Sequence, residues 1–225
     1  SRMRKRVTAV SNIMDIIAKE TNGKSYKTFK YTYEGSDVLS FAYDDKVIID
    51  NLSFDITCGK FLCFWGPSGI GKTTLFQVLA GLAGRQPEEF KNKRIAYLFQ
   101  DNRLLPHATA LQNVMAVTDK DSAEYWLKAV GLADSINLYP DEMSGGMQRS
   151  VAIARMLAYG GDIYLMDEPF TGLDDESKSR IISVIKESIK DSYMLMITHD
   201  DYTAEKLADC ILILEGPPLK IKDIF

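Results

Sequence analysis

The chain has 225 residues, 46% hydrophobic and 26% charged, enough for one large domain or two small lobes sharing a core. No stretch approaches the roughly 20 consecutive apolar residues that span a bilayer. The net charge of −4 hides an asymmetry: residues 1–30 carry eight Lys or Arg against two acids, leaving 19 against 29 in the rest, and so acidic a body argues against a general nucleic-acid binder.

Residues 7–20 place Val7, Val10, Ile13, Met14 and Ile17 at three-to-four spacing, which predicts a short amphipathic helix ending near Asn22-Gly23. Residues 24–36, rich in Tyr, Lys and Thr, read as linker or edge strand. Val38–Tyr43, Val47–Ile49 and Leu52–Ile56 predict short antiparallel strands, with turns at Asp44-Asp45 and Cys58-Gly59. Phe61–Trp65 is continuously apolar, as in a strand buried on both faces of a parallel sheet. A helix follows over 72–80, stopped by Gly81 and Gly84, and then a strand over Ile95–Phe99. Residues 109–139 hold helical patterns punctuated by Asn113, Gly131 and Pro140. A helix from Ser144 to Tyr159 ends at Gly160-Gly161. Then come strand Ile163–Met166, helix 175–190, strand Met194–Ile197, helix 201–208 and strand Ile211–Leu214. Such alternation predicts an α/β core with a parallel sheet. Cys58, Cys63 and Cys210 form no C-x-x-C pair and read as reduced, buried thiols of a cytosolic compartment.

Two glycine motifs lie 70 residues apart. Gly66, Pro67, Ser68, Gly69, Ile70, Gly71, Lys72 and Thr73 have the spacing G-x-x-x-x-G-K-T between an apolar strand and a helix. In such a loop the N–H groups of Gly69 to Thr74 converge on phosphates, Lys72 reaches the β- and γ-phosphates, and the Thr73 hydroxyl ligates Mg²⁺. Ser144, Gly145 and Gly146 open a helix, a second N-terminus suited to an anion. A third feature is an apolar strand ending in two acids. It places Asp167 at the sheet edge beside the phosphate loop as the Mg²⁺ partner, and Glu168 where a general base would polarise an attacking water.

These motifs, in this order over about residues 38–215, resemble the nucleotide-binding domain of ABC transporters, with Ser144-Gly-Gly at the family's signature. The resemblance implies a P-loop NTPase (RecA-like) parallel-sheet core with a small antiparallel β-subdomain and a helical subdomain at about 101–159, within an ATPase domain over 37–225. Only 27 residues separate Lys72 from Gln100, fewer than is usual in the family, which implies a trimmed β-subdomain. Gln100 matches the family's Q-loop glutamine, a sensor of Mg²⁺ and the γ-phosphate. His199 matches the histidine that contacts the γ-phosphate and orients Glu168 and the water. Asp174 matches the D-loop, and Tyr43 the aromatic that stacks on adenine, with Phe41 as the alternative. Met143 and Met147 depart from the commonest signature, and His107 reads as a loop residue. The segment Arg103–Val114 resembles importers of the nitrate, sulfonate and taurine type.

The implied function is Mg²⁺-dependent ATP hydrolysis by a peripheral subunit at the cytoplasmic face of the inner membrane. Its partners would be a second copy meeting it head to tail, a transmembrane permease and a solute-binding protein, and no nucleic acid. Competing classes are a soluble ABC ATPase acting on nucleic acid or ribosomes, a non-catalytic sensor and an exporter ATPase. The basic residues 1–36 read as an extension or linker; they suit either the cytoplasmic flank of a preceding permease segment or a solvated tail.

Overall fold

The computed structural model describes residues 39–43, 46–52, 59–84, 86–189 and 191–225. The helix expected over 7–20, the linker or edge strand over 24–36, and the turns at Asp44-Asp45 and Cys58 lie outside them. The described residues divide into two compact units, those up to Lys72 together with 198–225, and those from Thr73 to Ile197.

In the first unit, β1 (Leu39–Tyr43) and β2 (Lys46–Leu52) pair antiparallel, from Tyr43 opposite Lys46 to Leu39 opposite Leu52. The sequence led us to expect a break after Ile49. Instead β2 runs on through Asp50 and Asn51 to Leu52, with Ile49 and Leu52 both buried and the register with β1 shifting between them. The Leu219 N–H donates to the Ile48 carbonyl at 2.7 Å, which ties β2 to the turn before the last strand. β3 (Phe61–Trp65) runs parallel to β7 (Cys210–Glu215), and β8 (Lys220–Ile224) pairs antiparallel with β7. Asp209 fixes the start of β3 by accepting from the Lys60 and Phe61 N–H groups at 3.0 Å each. Cys63 and Cys210 are buried, as expected. β8 was not expected, since Lys220, Asp223 and neighbouring exposed positions give it no apolar stripe; its pairing with β7 decides its conformation. α6 (Asp201–Leu207) completes the unit.

The second unit contains the parallel strands β4 (Ile95–Leu98), β5 (Ile163–Asp167) and β6 (Tyr193–Ile197), with β5 between the other two. All five residues of β5 are buried, as its apolar run predicts. Helix α1 (Lys72–Leu79) begins at the unit boundary and buries Leu75, Phe76, Val78 and Leu79. Helices α2 (Ala110–Met115), α3 (Lys120–Ala129) and α4 (Gly145–Tyr159) pack on one another, and α5 (Asp175–Ser188) leads to β6. Side chains cap four of these starts: Thr109, Asp119, Ser144 and Asp174 each accept from a backbone N–H three residues on.

One helix reading needs correction. Asn113, expected as punctuation, lies fully buried inside α2. Its amide accepts from the Leu105 N–H at 2.7 Å and donates to the carbonyls of Leu105, Ala108 and Thr109. A polar residue in a buried helix is sustained here because it satisfies the backbone of the preceding loop. Among the described residues, no helix is long and apolar enough to cross a membrane.

Candidate active site

β3 delivers the chain into Gly66, which is buried with its Cα against β7; a Cβ there would lie 2.7 Å from the Leu214 carbonyl oxygen. Gly71 combines a φ of +109° with a Cβ position 2.7 Å from Ile48 Cγ2, so no other residue fits that corner without strain. Ile70 points inward at 5% exposure and anchors the loop, while Pro67, Ser68 and Gly69 face solvent. The Lys72 ammonium is folded over its own loop, donating to the Gly66 and Pro67 carbonyls at 2.7 Å each. These two bonds hold the ammonium against the start of its own loop.

Within the second unit, Thr73 and Asp167 meet across 94 positions of sequence: the Thr73 hydroxyl donates to Asp167 Oδ2 at 2.7 Å. Asp167 is 1% exposed at the end of β5. A hydroxyl and a carboxylate oxygen this close are the hard oxygen donors that Mg²⁺ takes. Among the described residues no group of three or more His, Cys, Asp or Glu could hold a metal. A site with two protein oxygens fits Mg²⁺ rather than a metal caged wholly by side chains, because Mg²⁺ keeps waters and shares phosphate oxygens.

Glu168, half-buried, follows in the left-handed region with φ 49°, and its N–H donates to the Ile197 carbonyl at 2.9 Å. A non-glycine residue seldom adopts this conformation, which turns the side chain away from the direction the strand would give it. Gln100 is exposed just past β4. Ser144 and Gly145 are exposed at the start of α4. The Ser144 hydroxyl accepts from the Met147 N–H at 3.2 Å, and Gln148 braces the turn by donating to the Pro140 and Met143 carbonyls. Gly146 is needed for close approach, since a Cβ there would sit 2.8 Å from the Gly172 carbonyl oxygen. Asp174 caps α5 through Ser177, and the Ser177 N–H holds its carboxyl below the usual range.

His199 lies in the first unit, exposed between Thr198, which is buried, and Asp200, the cap of α6. His107 is exposed in the loop before α2, as expected. Phe41 is half-buried in β1 opposite Ile49, and Tyr43 ends that strand opposite Lys46. Thr74 is half-buried in the first turn of α1.

Sequence reasoning missed Arg149. This side chain is 2% exposed on α4, and burial lowers its pKa to about 10 despite the favourable charges of Asp167, Glu168 and Asp101. An arginine in a largely apolar helix that also carries Arg155 has no motif to mark it; the signal is that Val151–Ala154 beside it are all apolar.

The family model described as "ABC transporter" matches residues 49–171, more than half of the chain. The chain belongs to the ABC transporter family. It is an ATP-binding, ATP-hydrolysing cassette. Among curated relatives it is similar to the aliphatic sulfonates import ATP-binding protein SsuB 3 of Paraburkholderia xenovorans, 39% identical over 190 residues, 79% of this cassette and 75% of that protein. It is also similar to SsuB of Bacillus cereus, 34% identical over 194 residues, covering 79% and 77%. Among solved structures it resembles a dimeric ATP-binding cassette in a post-hydrolysis state bound to ADP and Pi, with a TM-score of 0.70, 25% identity, and coverage of 83% and 94%. The P-loop NTPase α/β fold expected from the motifs is the one observed.

Proposed function

We propose that this cassette is the peripheral ATPase subunit of an importer for a small anionic or polar solute, driving a transmembrane permease from the cytoplasmic face of the inner membrane. Two copies meet head to tail, and each ATP lies between the phosphate loop of one and Ser144, Gly145 and Gly146 of the other. The observation that carries this reading is the 2.7 Å contact, within the second unit, of the Thr73 hydroxyl with Asp167 at the acidic strand end. The exposed signature turn, with space for an added atom at Gly145, supports the intermolecular half. The relatives named above are importer subunits by name, which favours import over the exporter and nucleic-acid readings.

In this reading residues 37–225 form the ATPase domain, with the helical subdomain at about 101–159 and residues 1–36 as a basic extension. The loop N–H groups from Gly69 to Thr74 and the Lys72 ammonium hold the phosphates, the ammonium exchanging its two carbonyl contacts for phosphate oxygens. Thr73, Asp167 and Gln100 would hold Mg²⁺, which when bound neutralises charge developing on the phosphate oxygens. Glu168 accepts the proton of the attacking water, and His199 orients it. Asp174 stations the turn that follows, and Tyr43 or Phe41 stacks on adenine. A solute-binding protein delivers cargo to the permease, and nucleic acid has no part.

Steady-state hydrolysis by the purified chain tests this reading. Turnover should rise cooperatively with ATP and vanish when EDTA removes divalent cations; turnover in EDTA equal to that with Mg²⁺ would contradict it.

A further inference from the structure

The guanidinium of Arg149 makes six hydrogen bonds, and their partners are unusual in being grouped. Nε donates to the Pro169 carbonyl at 2.9 Å, and Nη2 donates to the carbonyls of Asp167 at 2.7 Å and Glu168 at 2.9 Å. Nη1 donates to the carbonyls of Phe99 at 2.7 Å and Gln100 at 3.2 Å and to Asn102 Oδ1 at 3.2 Å. One face of the fork thus holds the last residue of β5 and the two that follow it, and the other holds the segment after β4. Five N–H groups meet six acceptors, so one is shared.

Burying a charge this deeply is unfavourable unless every donor is satisfied, which is the case here. The segment that Arg149 grips includes Glu168, whose backbone sits in the left-handed region at φ 49°. The Glu168 N–H donates to the Ile197 carbonyl at 2.9 Å, and the Thr171 N–H reaches the Glu168 carbonyl at 3.4 Å. Arg149 braces the carbonyls before, at and after that residue. The loop on its other face is secured in turn by Arg155, which donates to the Asn102 carbonyl at 2.9 Å and the Arg103 carbonyl at 3.0 Å. Arg149 itself lies one helical turn beyond Gly145 on α4, so the signature turn and this brace move as one rigid piece.

We propose that Arg149 is a positioning residue for hydrolysis. Through five backbone carbonyls and the Asn102 side chain it holds the strained Glu168 and the Gln100 segment in register with the signature helix, so that seating that helix on a partner's nucleotide sets the base. This inference rests on the assignment of Glu168 as base and Gln100 as sensor made above. A residue acting only as a cross-link would serve equally well if its bonds went elsewhere; these go to the backbone of the metal-ligand, base and sensor positions. Lysine cannot replace it, because a single ammonium has three donors and no planar fork.

The test uses the full chain as wild type, Arg149→Lys, Arg149→Ala and Glu168→Gln. Steady-state kcat and KM are read beside equilibrium binding of a fluorescent ATP analogue without Mg²⁺ and the thermal midpoint. The expected result is that Arg149→Lys binds nucleotide within about twofold of wild type while kcat falls at least about tenfold, since positioning errors act on turnover. Arg149→Ala should fall further and recover part of its kcat in millimolar guanidinium or methylguanidinium. A kcat for Arg149→Lys within twofold of wild type overturns the proposal. So does a loss of kcat that tracks lost nucleotide affinity and a lowered melting point without guanidinium rescue, which is the pattern of a scaffold residue. Full turnover by Glu168→Gln would instead strike the assignment of the base, and that outcome is separable because it leaves the Arg149 variants with their own kcat readings.

Discussion

Replacing Thr73 by Val keeps the shape of the side chain and removes the donor facing Asp167. The bond is 2.7 Å long and ends on a carboxylate that is 1% exposed, so water does not readily take the hydroxyl's place. A hydrogen bond to a charged acceptor contributes about 1.5–3 kcal/mol. Thr73 itself is half-buried, which favours the lower part of that range and a loss of about 2 kcal/mol. For a chain of this size, about 2 kcal/mol corresponds to a fall of roughly 4–8 °C in the melting midpoint. Calorimetry or urea titration of the nucleotide-free chain measures it, with Thr73→Ser as the control that keeps the hydroxyl. The same variant tests the metal assignment: wild type should melt higher with ATP and Mg²⁺ than with ATP and EDTA, whereas for Thr73→Val the two curves should coincide. Thr73→Val as stable as wild type, or Thr73→Ser losing as much as Thr73→Val, would refute the reasoning.

The paired glycines of the signature turn should separate fold from function. A Cβ at Gly145 meets nothing within 4 Å, so Gly145→Ala should melt at or slightly above wild type yet lose about a hundredfold in ATPase activity, the loss expected when a charge-stabilising backbone donor is obstructed. Gly146→Ala places its Cβ 2.8 Å from the Gly172 carbonyl oxygen and should lower the melting point as well; equal stability of the two variants would contradict the geometry. Asp201 gives a pH signature. Burial raises its carboxyl above the usual range, helped by Asp200 and opposed by the Trp65 indole N–H and His199. The folded state therefore holds that proton more tightly than the unfolded chain, and the contribution is complete below the unfolded pKa of about 3.9 and lost as pH rises through the folded value. Asp201→Asn should match wild type near pH 4 and melt above it at pH 7.5; a gap independent of pH would contradict the role of burial.

Much of this architecture was legible because physical constraints were strong. β3 is apolar throughout and β5 is apolar up to Asp167, and both are strands that are buried over all but the last residue of β3. Gly66 and Gly71 sit where the phosphate-loop pattern requires them, one pressed against a carbonyl and the other at φ +109°. The expected helix over 175–190 ends at Ser188, and the expected 144–159 helix has Ser144 as its cap rather than its first residue. What stayed hidden has tertiary causes. β8 is a strand because β7 offers it an edge, not because Lys220–Ile224 alternates cleanly. Asn113 has the composition of a breaker but the environment of a core residue, with four hydrogen bonds to a loop that sequence alone cannot place. Arg149 is the strongest case: five of its six acceptors are backbone carbonyls, which any sequence supplies, so little in the pattern of side chains announces the site. The left-handed Glu168 is likewise invisible in a sequence, since glutamate carries no preference for that region.

The central claim is that each chain carries two halves of different ATP sites. Light scattering coupled to size exclusion of Glu168→Gln, with and without ATP, tests it most directly. The account predicts a monomer in buffer that becomes a stable dimer holding two unhydrolysed ATP molecules per pair. A variant that binds ATP yet remains monomeric at all concentrations, or that hydrolyses it at the wild-type rate, would contradict the account.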